Sequence, residues 1–446
     1  MILKTLKPLP HVHLETFGCQ MNESDSELVR SMLKREGFAF TEDRERADVV
    51  LVNTCAIREN AHNKIYGHLA ELKAIKRQRP LVVGVLGCMA QNLKADLADK
   101  EPLIDVLAGP DSYRQLPSLL TNALEAQEQG LSQKGFALDL SEYETYEGIM
   151  PDRENGVNAW ITVMRGCDNF CSFCVVPYTR GRERSRDPES ILIEARDAAA
   201  RGFKQITLLG QNVNSYRHGE WDFAKLISAV ADTTGIDRVR FTSPHPKDFP
   251  PALIDAIATH PHICKHIHLP LQAGSDRILE LMGRDYTGAE YLSLVDRIRT
   301  TIPDVVLTTD IICGFCSETD AEFRDTCRIV EEAQLDSAYT FKYSERKHTI
   351  AARKYADDVP EQVKGQRVAK LVDIQRAITA ERNRRYIGKT VEILVEGDAT
   401  RSSSQGMGKT DGNITVVWDK STGHPGPGAM VTKHIFDASA ATLYGE

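Results

Sequence analysis

The sequence predicts a multidomain α/β protein with an N-terminal parallel α/β sheet domain, a central partial (β/α)6 TIM-like barrel and a small C-terminal antiparallel β-barrel. Three observations predict it. Strand and helix signals alternate up to residue 137. They alternate again between about 156 and 345, where there are six strand signals. After 389 the sequence has no helical periodicity. A chain of 446 residues is too long for one ordinary hydrophobic core. The predicted segments are 1–137, a linker at 138–155, 156–388 and 389–446.

The first segment contains β-rich apolar runs that are separated by helical patterns. Because strands that alternate with helices form parallel sheets, this order predicts a parallel sheet with covering helices. In the helical pattern at 24–37 we expect Ser24 to cap the start and Gly37 to follow the end. The linker that follows is acidic and rich in turn residues. The strand runs are 11–19, 47–55, 80–88 and a weaker one at 104–110.

The second segment repeats the alternation six times, with helical patterns such as 188–203 between the strands. Six units fall short of the eight of a closed TIM barrel, so an open barrel is expected. A helix at 361–388, with seven Lys or Arg against three acids, closes the segment and either guides RNA or forms charged surface. In the third segment, short β-rich runs separated by Gly, Ser and Pro predict the small barrel. The six strand runs are 159–166, 204–211, 237–244, 265–272, 304–315 and 336–344.

Composition is that of a globular protein, with 41% apolar and 26% charged residues. No apolar run approaches the roughly 20 residues of a membrane helix, and the amino terminus lacks the apolar region of a signal peptide. We therefore expect a cytoplasmic protein with no membrane partner, in which the clustered members of the ten cysteines indicate metal or redox chemistry more than disulfides. The net charge of −8 excludes a surface that is basic all over, but not a local nucleic-acid site.

Three cysteines end the first three strand runs of the N-terminal segment. Cys19, Cys55 and Cys88 are 36 and 33 residues apart, which is one strand–helix unit each time. Because the carboxyl ends of parallel strands meet at one edge of a sheet, the three thiols are expected to converge there. The pattern favours a shared metal site over three ordinary buried cysteines.

A second set of three cysteines, Cys167, Cys171 and Cys174, follows the first strand of the central segment with the spacing C-x3-C-x2-C. This one loop can bring three thiolates around a metal cluster. A zinc site would need a fourth ligand, and the loop contains no histidine. The histidines at 262, 266 and 268 are a possible donor group, although the last two lie in a strand pattern.

Polar residues at the ends of the barrel strands are candidate pocket residues, because active sites of such barrels lie at the carboxyl ends of the strands. The alternative is ordinary strand-end capping. Alternating arginines follow the second cysteine set and either bind an anionic substrate or form a solvated loop. A C-x2-C pair, Cys313 and Cys316, is expected to be buried and inert. The strand-end residues are Gln211, Asn212, Ser243, Gln272 and Asp310, and the arginines are Arg180, Arg182, Arg184 and Arg186.

The C-x3-C-x2-C loop after the first barrel strand resembles that of the radical S-adenosylmethionine (SAM) enzymes. The resemblance implies that Cys167, Cys171 and Cys174 hold a [4Fe–4S] cluster whose fourth iron binds SAM. It also implies that an electron from this cluster cleaves SAM to a 5′-deoxyadenosyl radical. The vacancy in the ligand set would then be the SAM site, as in other catalytic metal centres that keep one position open.

Nearly the whole chain is similar to the radical SAM methylthiotransferases. The motifs ETFGCQMNESDSE, NTCAIRENA and LGCMAQ resemble their N-terminal domain, and GKTDGNITVVW (408–418) resembles the TRAM domain, an OB-like RNA-binding barrel. The resemblance implies that Cys19, Cys55 and Cys88 hold a second, auxiliary [4Fe–4S] cluster that delivers sulfur. The motifs VVPYTRGRERSR, GQNVNSY and HLPLQAGSDRILELMGRDYT are most similar to the branch that acts on N6-isopentenyladenosine in tRNA.

The resemblance therefore implies methylthiolation of C2 of N6-isopentenyladenosine next to the anticodon, which gives ms2i6A. Two SAM molecules would be used per turnover, and an external electron donor such as flavodoxin or ferredoxin would be needed. The alternatives are threonylcarbamoyl-adenosine in tRNA, a ribosomal protein side chain, or a non-catalytic iron–sulfur protein that binds RNA. The ICGFC stretch (312–316) departs from the family pattern. The residues expected to line the SAM and substrate pocket are Gln211, Asn212, Ser243, Gln272, Asp310, Arg182 and Arg184.

Overall fold

The computed structural model describes residues 9–56, 59–154, 156–422 and 425–446. Residues 57 and 58 of the NTCAIRENA motif, residues 1–8 of the amino terminus and the last residue of the predicted linker lie outside this description. The chain forms two units. Unit 1 comprises the described residues up to Glu154 with Arg165–Asp168 and Cys174–Arg184, and unit 2 comprises the rest.

A six-stranded parallel sheet forms the centre of unit 1, in the order β2-β1-β3-β4-β5-β6, as the alternating pattern predicts. Strands β2 and β6 were not predicted, because two or three residues carry no periodic signal. The strands are β1 (His11–Phe17), β2 (Ala39–Phe40), β3 (Val49–Thr54), β4 (Val82–Gly87), β5 (Val106–Ala108) and β6 (Gly135–Ala137).

Helices cover both faces of this sheet, so β3 is buried along its whole length. Leu51 packs into the core on one face, and Val50 packs into the core on the other. The predicted cap of the first helix is wrong: Cys19, not Ser24, is the N-cap, and Gly37 follows the end at φ +85° as expected. The helices are α1 (Gln20–Arg35), α2 (Glu59–Gln78), α3 (Cys88–Leu93), α4 (Ala95–Lys100), α5 (Leu116–Glu128) and α6 (Val176–Arg180).

Six parallel strands form the barrel of unit 2. The two sheets β13-β10-β7 and β14-β15-β16 meet through a parallel bridge between Val239 and Ile263, which gives the open six-stranded barrel that the sequence predicts. Strands β8 and β9 fall where the chain passes between the two units. The strands are β7 (Asn158–Thr162), β8 (Met164–Arg165), β9 (Arg184–Ser185), β10 (Gln205–Leu209), β11 (Arg217–His218), β12 (Trp221–Asp222), β13 (Arg238–Phe241), β14 (His266–His268), β15 (Val306–Cys313) and β16 (Ser337–Lys342).

Ion pairs within unit 2 hold the basic helix α14. Lys364 pairs with Asp357 at 2.6 Å, and Arg367 pairs with Glu318 at 2.7 Å. These charges are buried and compensated, so they do not favour the expectation that this helix guides RNA. The helices of unit 2 are α7 (Pro188–Ala200), α8 (Phe223–Ala231), α9 (Pro251–Thr259), α10 (Asp276–Met282), α11 (Gly288–Thr301), α12 (Asp320–Ala333), α13 (Ile350–Lys354) and α14 (Glu361–Arg384).

The C-terminal segment closes into a five-stranded barrel in the order β17-β18-β19-β21-β20, around a core that includes Trp418. Strand β18 was missed because its sequence, SSSQGMGKT, contains almost no apolar residue. Arg238 and Arg240 of β13 donate hydrogen bonds to backbone carbonyls at the end of β18, at 2.6 and 2.8 Å, and so dock this barrel. The strands are β17 (Thr390–Ala399), β18 (Ser402–Thr410), β19 (Thr415–Asp419), β20 (Met430–Ala438) and β21 (Leu443–Gly445).

Among the helices of the described residues, none has the length and apolarity that crossing a membrane requires.

Candidate functional site

The first three cysteines lie at one edge of the unit 1 sheet. Cys19 follows β1, Cys55 follows β3 and Cys88 follows β4, and these three strands are neighbours in the sheet. Cys19 is the N-cap of α1, and Cys88 is the first residue of α3. The parallel register therefore carries residues that are far apart in sequence to a common edge, as the pattern predicted.

Two glycines allow the chain to pack closely around these cysteines. A Cβ on Gly18, which has φ +141°, would lie 2.8 Å from the Cβ of Cys55. A Cβ on Gly87, which has φ +87°, would lie 2.4 Å from Oδ1 of Asn53. Both positions combine a positive φ with no room for a side chain, so glycine is required directly before Cys19 and Cys88.

The surroundings of Cys19 favour its thiolate. A hydrogen bond from the thiol of Cys55 outweighs burial and, with the positive charge of Arg180, lowers the pKa of Cys19 to about 6. Backbone N–H groups in the first turn of α1 act in the same direction. Burial raises the pKa of Cys88, although the charge of Arg180 opposes this shift. The pKa of Cys19 is thus lowered, whereas that of Cys88 is raised.

A buried charge network lies next to Cys88. Asp25 is fully buried and pairs with Arg165 at 2.7 Å and with Arg180 at 2.8 Å. Arg180 also donates a hydrogen bond from Nε to Sγ of Cys88 at 3.2 Å. The guanidinium of Arg165 lies over the ring of Tyr146, 4.6 Å from its centroid. Two guanidinium groups therefore share one carboxylate, which leaves one positive charge beside the cysteines.

These groups fit an anionic iron–sulfur cluster. Nη1 of Arg180 is buried and has no hydrogen-bond partner among the described residues. A buried donor of this kind is costly unless an acceptor occupies the site. A cluster held by Cys19, Cys55 and Cys88 would supply both negative charge and acceptor sulfurs, which protein N–H groups commonly contact.

The loop of the second cysteine set contributes Cys167 and Cys174 to unit 1 and Cys171 to unit 2. Val175, the neighbour of Cys174, packs against Cys88 and Ala56 in a small apolar cluster. The loop after the second set therefore touches a member of the first set inside unit 1. This contact has no local signal in the sequence, because Val175 and Cys88 are 87 residues apart.

Cys171 has its own arginine in unit 2. Nη1 of Arg284 donates a hydrogen bond to Sγ of Cys171 at 3.3 Å, and its Nε donates to the hydroxyl of Tyr286 at 3.1 Å. The Tyr286 hydroxyl in turn donates to the carbonyl of Leu271 at 2.8 Å. Sequence reasoning quoted the MGRDYT motif but assigned no role to Arg284 or Tyr286.

The candidate residues after β10 and β13 lie side by side. Nδ2 of Asn212 donates a hydrogen bond to Asp248 at 3.0 Å, and its neighbour Gln211 is half-buried. Ser243 has φ +59°, and its carbonyl accepts a hydrogen bond from the backbone N–H of Val213 at 3.2 Å. A left-handed serine at a strand end is a strained conformation of the kind found at functional sites.

Gln272 lies in the segment after β14 and forms an isolated parallel bridge with β15, the strand that contains Asp310. Gln272 has φ +68°, and its backbone N–H donates to the carbonyl of Asp310 at 2.9 Å. The expectation that Asp310 ends its strand is wrong: β15 continues to Cys313. The carboxylate of Asp310 lies 3.2 Å from Nε2 of His268, on the strand next to its own.

Two of the three histidines considered as zinc donors are engaged inside the barrel, and the third, His262, is exposed. His266 and His268 both contact the hydroxyl of Thr308, at 3.2 and 3.0 Å. In the part of the chain that the structure describes, no three Cys, His, Asp or Glu side chains form a site for a single metal ion, such as the zinc ion considered for these histidines. Cys313 and Cys316 are buried, and burial raises the pKa of each thiol, as expected for inert cysteines.

Three of the four alternating arginines, Arg180, Arg184 and Arg186, are buried, so the expectation of a solvated loop is wrong for them. Arg180 pairs with Asp25, as described above, and Arg186 pairs with Glu194 at 2.7 Å. Arg184 pairs with Asp111 at 2.8 Å and also donates to four backbone carbonyls, so these contacts already account for the residue that we expected in the substrate pocket. Arg182 is exposed and pairs with Asp168 at 2.7 Å.

Three family models match the chain. Residues 11–109 match the Uncharacterized protein family UPF0004, residues 161–330 match the Radical SAM superfamily, and residues 384–446 match the TRAM domain. The order of these matches is the order of the three predicted segments.

Solved structures support the fold. The structure of the radical SAM methyltransferase TsrM from Kitasatospora setae, with cobalamin and a [4Fe-4S] cluster bound, has a TM-score of 0.59 and 14% identity and covers 77% of each chain. The cobalamin-dependent SAM radical enzyme OxsB with SAM bound has a TM-score of 0.53 and 13% identity and covers 83% of this chain and 56% of that chain. At these identities the likeness concerns the fold alone.

Curated relatives are similar over nearly the full length. A tRNA-2-methylthio-N(6)-dimethylallyladenosine synthase of Porphyromonas gingivalis W83 is 48% identical over 98% of this chain and 94% of its own. Enzymes with the same name from Parabacteroides distasonis and Prosthecochloris aestuarii are 47% and 46% identical, over 97% of this chain and 94% and 97% of their own. The chain therefore belongs to the tRNA-2-methylthio-N(6)-dimethylallyladenosine synthase family of radical SAM enzymes.

Proposed function

We propose that the chain methylthiolates C2 of N6-isopentenyladenosine next to the anticodon of tRNA, giving ms2i6A. Relatives that are named for this activity match the chain over nearly their whole length. The observation within the chain that carries the proposal is the pair of cysteine sets, since Val175 of the second loop packs against Cys88 of the first set. Two sulfur-ligated groups side by side suit a reaction that activates a carbon and supplies sulfur to it.

The two sets would hold the two metal groups. Cys167, Cys171 and Cys174 would hold a [4Fe–4S] cluster with one iron open to SAM, and the set of Cys19, Cys55 and Cys88 would hold an auxiliary [4Fe–4S] cluster. When bound, these groups and two SAM molecules per turnover supply the radical, the sulfur and the methyl group. Acid–base groups do not replace this chemistry, because the C2–H bond of adenine is not acidic.

The polypeptide would fix the spacing and bind the substrates. The docked loop between Cys174 and Arg184 keeps part of the second set next to the first within unit 1. Gly87 and Gly18 let the strands of the first set approach closely enough for their thiols to share one cluster. The SAM and substrate pocket would be lined by Gln211, Asn212, Ser243, Gln272, Asp310 and the exposed Arg182.

The C-terminal barrel would bind the tRNA. It matches the TRAM domain, and the side chains of Arg238 and Arg240 fix its β18 end to the amino-terminal ends of the strands of the SAM barrel. A rigidly docked RNA-binding barrel would hold the tRNA in one orientation while the anticodon loop is modified. The electron would come from an external donor such as flavodoxin or ferredoxin in the cytoplasm.

Anaerobic reconstitution followed by nucleoside analysis tests the proposal. The full chain should bind about eight irons, and the variant with alanine at 167, 171 and 174 about four. With SAM and a reductant, it should convert an anticodon stem-loop that carries N6-isopentenyladenosine to the methylthio form. Conversion of a threonylcarbamoyl-adenosine stem-loop instead would contradict the proposed substrate, and binding of RNA without SAM cleavage would contradict an enzyme.

A further inference from the structure

Arg180 makes contacts that a purely structural ion pair does not need. Its Nη2 bonds to Asp25 at 2.8 Å, its Nε bonds to Sγ of Cys88 at 3.2 Å, and its Nη1 is buried without a partner among the described residues. The carboxylate therefore orients the guanidinium so that two donor groups remain for sulfur. Arg180 is 3% exposed, so water does not compete for these groups.

The charge balance around Asp25 points in the same direction. Arg165 already neutralises Asp25 at 2.7 Å, and Arg180 adds a second buried positive charge. A buried charge without a counter-charge is strongly unfavourable. The nearest sulfur is that of Cys88, which the guanidinium contacts directly. An anion bound by the first cysteine set would complete the pairing.

We infer that Arg180 is a positioning residue for the auxiliary cluster, in which it donates to the sulfur of Cys88 and to a second sulfur of the bound cluster and so stabilises the reduced form. This inference rests on the proposed function, in which Cys19, Cys55 and Cys88 hold a [4Fe–4S] cluster. Hydrogen bonds to cluster sulfurs and nearby positive charge raise the reduction potential, because the reduced cluster carries one more negative charge.

The same carboxylate provides a matched control. Arg165 pairs with Asp25 as Arg180 does, it is equally buried, and its Nε and Nη1 also have no hydrogen-bond partner among the described residues. Unlike Arg180, it makes no hydrogen bond to a cysteine there. A change at Arg165 therefore perturbs the buried charge network without removing a contact with sulfur. Arg180→Lys keeps the charge and loses the planar fork, whereas Arg180→Met loses both.

The experiment uses the full chain with alanine at 167, 171 and 174, so that only the first cysteine set can bind a cluster. Iron content and the midpoint potential, followed by EPR during a redox titration, are measured with Arg180 intact and for Arg180→Lys, Arg180→Met and Arg165→Lys. We expect about four irons with Arg180 intact, a lower midpoint potential for Arg180→Lys, a still lower one for Arg180→Met, and a smaller change for Arg165→Lys.

The outcomes separate this inference from the proposed function. If the chain with Arg180 intact binds no iron, the auxiliary cluster is wrong. If iron is bound but the potential and the EPR signal are the same in both Arg180 variants, the inference is overturned. A shift in Arg165→Lys as large as that in Arg180→Lys also overturns it, because the effect would then come from the charge network alone. If Arg180→Met binds no iron, the midpoint potential of Arg180→Lys alone tests the inference, and an unchanged potential overturns it.

Discussion

Nη1 of Arg284 lies 3.3 Å from Sγ of Cys171 in unit 2, just as Nε of Arg180 lies 3.2 Å from Sγ of Cys88 in unit 1. Each cysteine set thus has one member that accepts a hydrogen bond from a buried guanidinium. A guanidinium donor makes a stronger hydrogen bond when its acceptor is charged, so both contacts would suit cysteines that ligate an iron–sulfur cluster.

Replacing Arg284 should weaken the cluster of the second cysteine set. Arg284 pairs with no carboxylate among the described residues, and its Nη1 donates a hydrogen bond to Sγ of Cys171. In a chain with alanine at 19, 55 and 88, Arg284→Met should lower iron content or SAM cleavage about 10- to 100-fold, and Arg284→Lys should lower it less. Iron analysis and 5′-deoxyadenosine release measure this. Full iron loading and cleavage in Arg284→Met would contradict the assigned contact.

Replacing Gly87 should disrupt the first cysteine set. Gly87→Ala places a Cβ 2.4 Å from Oδ1 of Asn53 and 2.8 Å from the carbonyl of Thr54, directly before Cys88. We expect a loss of about 1–3 kcal/mol in the free energy of unfolding and a loss of the auxiliary irons. Urea unfolding of the iron-free chain and iron analysis measure the two effects.

Gly130→Ala is the control for this glycine. Gly130 has φ +70° in unit 1, but no atom lies within 4 Å of the Cβ that alanine would add. The variant carries the backbone strain without the clash, so it should cost about 1 kcal/mol and keep all the irons. Equal iron loss in both glycine variants would show that strain, and not close packing at Cys88, is responsible.

Replacing Arg184 should lower the free energy of unfolding, because its contacts are structural. Arg184 and Asp111 form a pair whose side chains are 5% and 0% exposed. Removing one partner leaves a buried charge, so Arg184→Met should reduce the free energy of unfolding by about 3–5 kcal/mol. Arg196→Met, which breaks an exposed pair with Glu189, should cost less than about 1 kcal/mol. Urea midpoints compare the two, and an unchanged midpoint for Arg184→Met would favour the original substrate role.

Stability should fall in acid because of His245. Burial, together with the positive charges of Arg284 and Lys247, lowers the pKa of His245 to about 2, and the ring of Tyr286 packs against it. The native histidine is therefore neutral near pH 5, whereas in the unfolded chain it binds a proton below about pH 6.5. The stability that this group contributes is present above pH 6.5 and is lost as the pH falls below it.

His245→Asn isolates this effect. In the parent chain the backbone N–H of Lys247 donates a hydrogen bond to Nδ1 of His245 at 3.3 Å, and asparagine keeps an acceptor near this N–H. Between pH 6.5 and 5, the parent chain should lose about 2 kcal/mol more of its free energy of unfolding than the variant does. Urea unfolding of both chains across this range measures the difference. Parallel pH profiles would contradict a buried neutral His245.

The strands and the two cysteine sets could be predicted because their signals are local. The strands before Cys55 and Cys88 are mostly apolar, the strand before Cys19 is a β-rich run, and the spacing of Cys167, Cys171 and Cys174 is visible within eight residues. Parallel strand order then brings Cys19 and Cys55 to one edge of the sheet. The six strands of the central barrel follow from the same kind of signal.

The groups around the cysteines could not be predicted, because their partners are distant in sequence. Arg180 lies 155 residues from Asp25 and 92 from Cys88, and Arg284 lies 113 from Cys171. An alternating run of arginines is usually a solvated loop. The burial of these arginines, each beside one acidic residue, leaves no periodic pattern in the sequence. The positive φ of Ser243 and Gln272 likewise depends on tertiary structure, since neither residue type requires it.

Mass spectrometry of tRNA nucleosides from a strain that lacks this protein tests whether methylthiolation of the tRNA needs both cysteine sets. The strain is complemented with the full chain, with the chain carrying alanine at 167, 171 and 174, or with the chain carrying alanine at 19, 55 and 88. The account predicts that only the full chain restores the 2-methylthio form and that N6-isopentenyladenosine accumulates with either variant. Full restoration by either triple variant would contradict an enzyme that needs both cysteine sets.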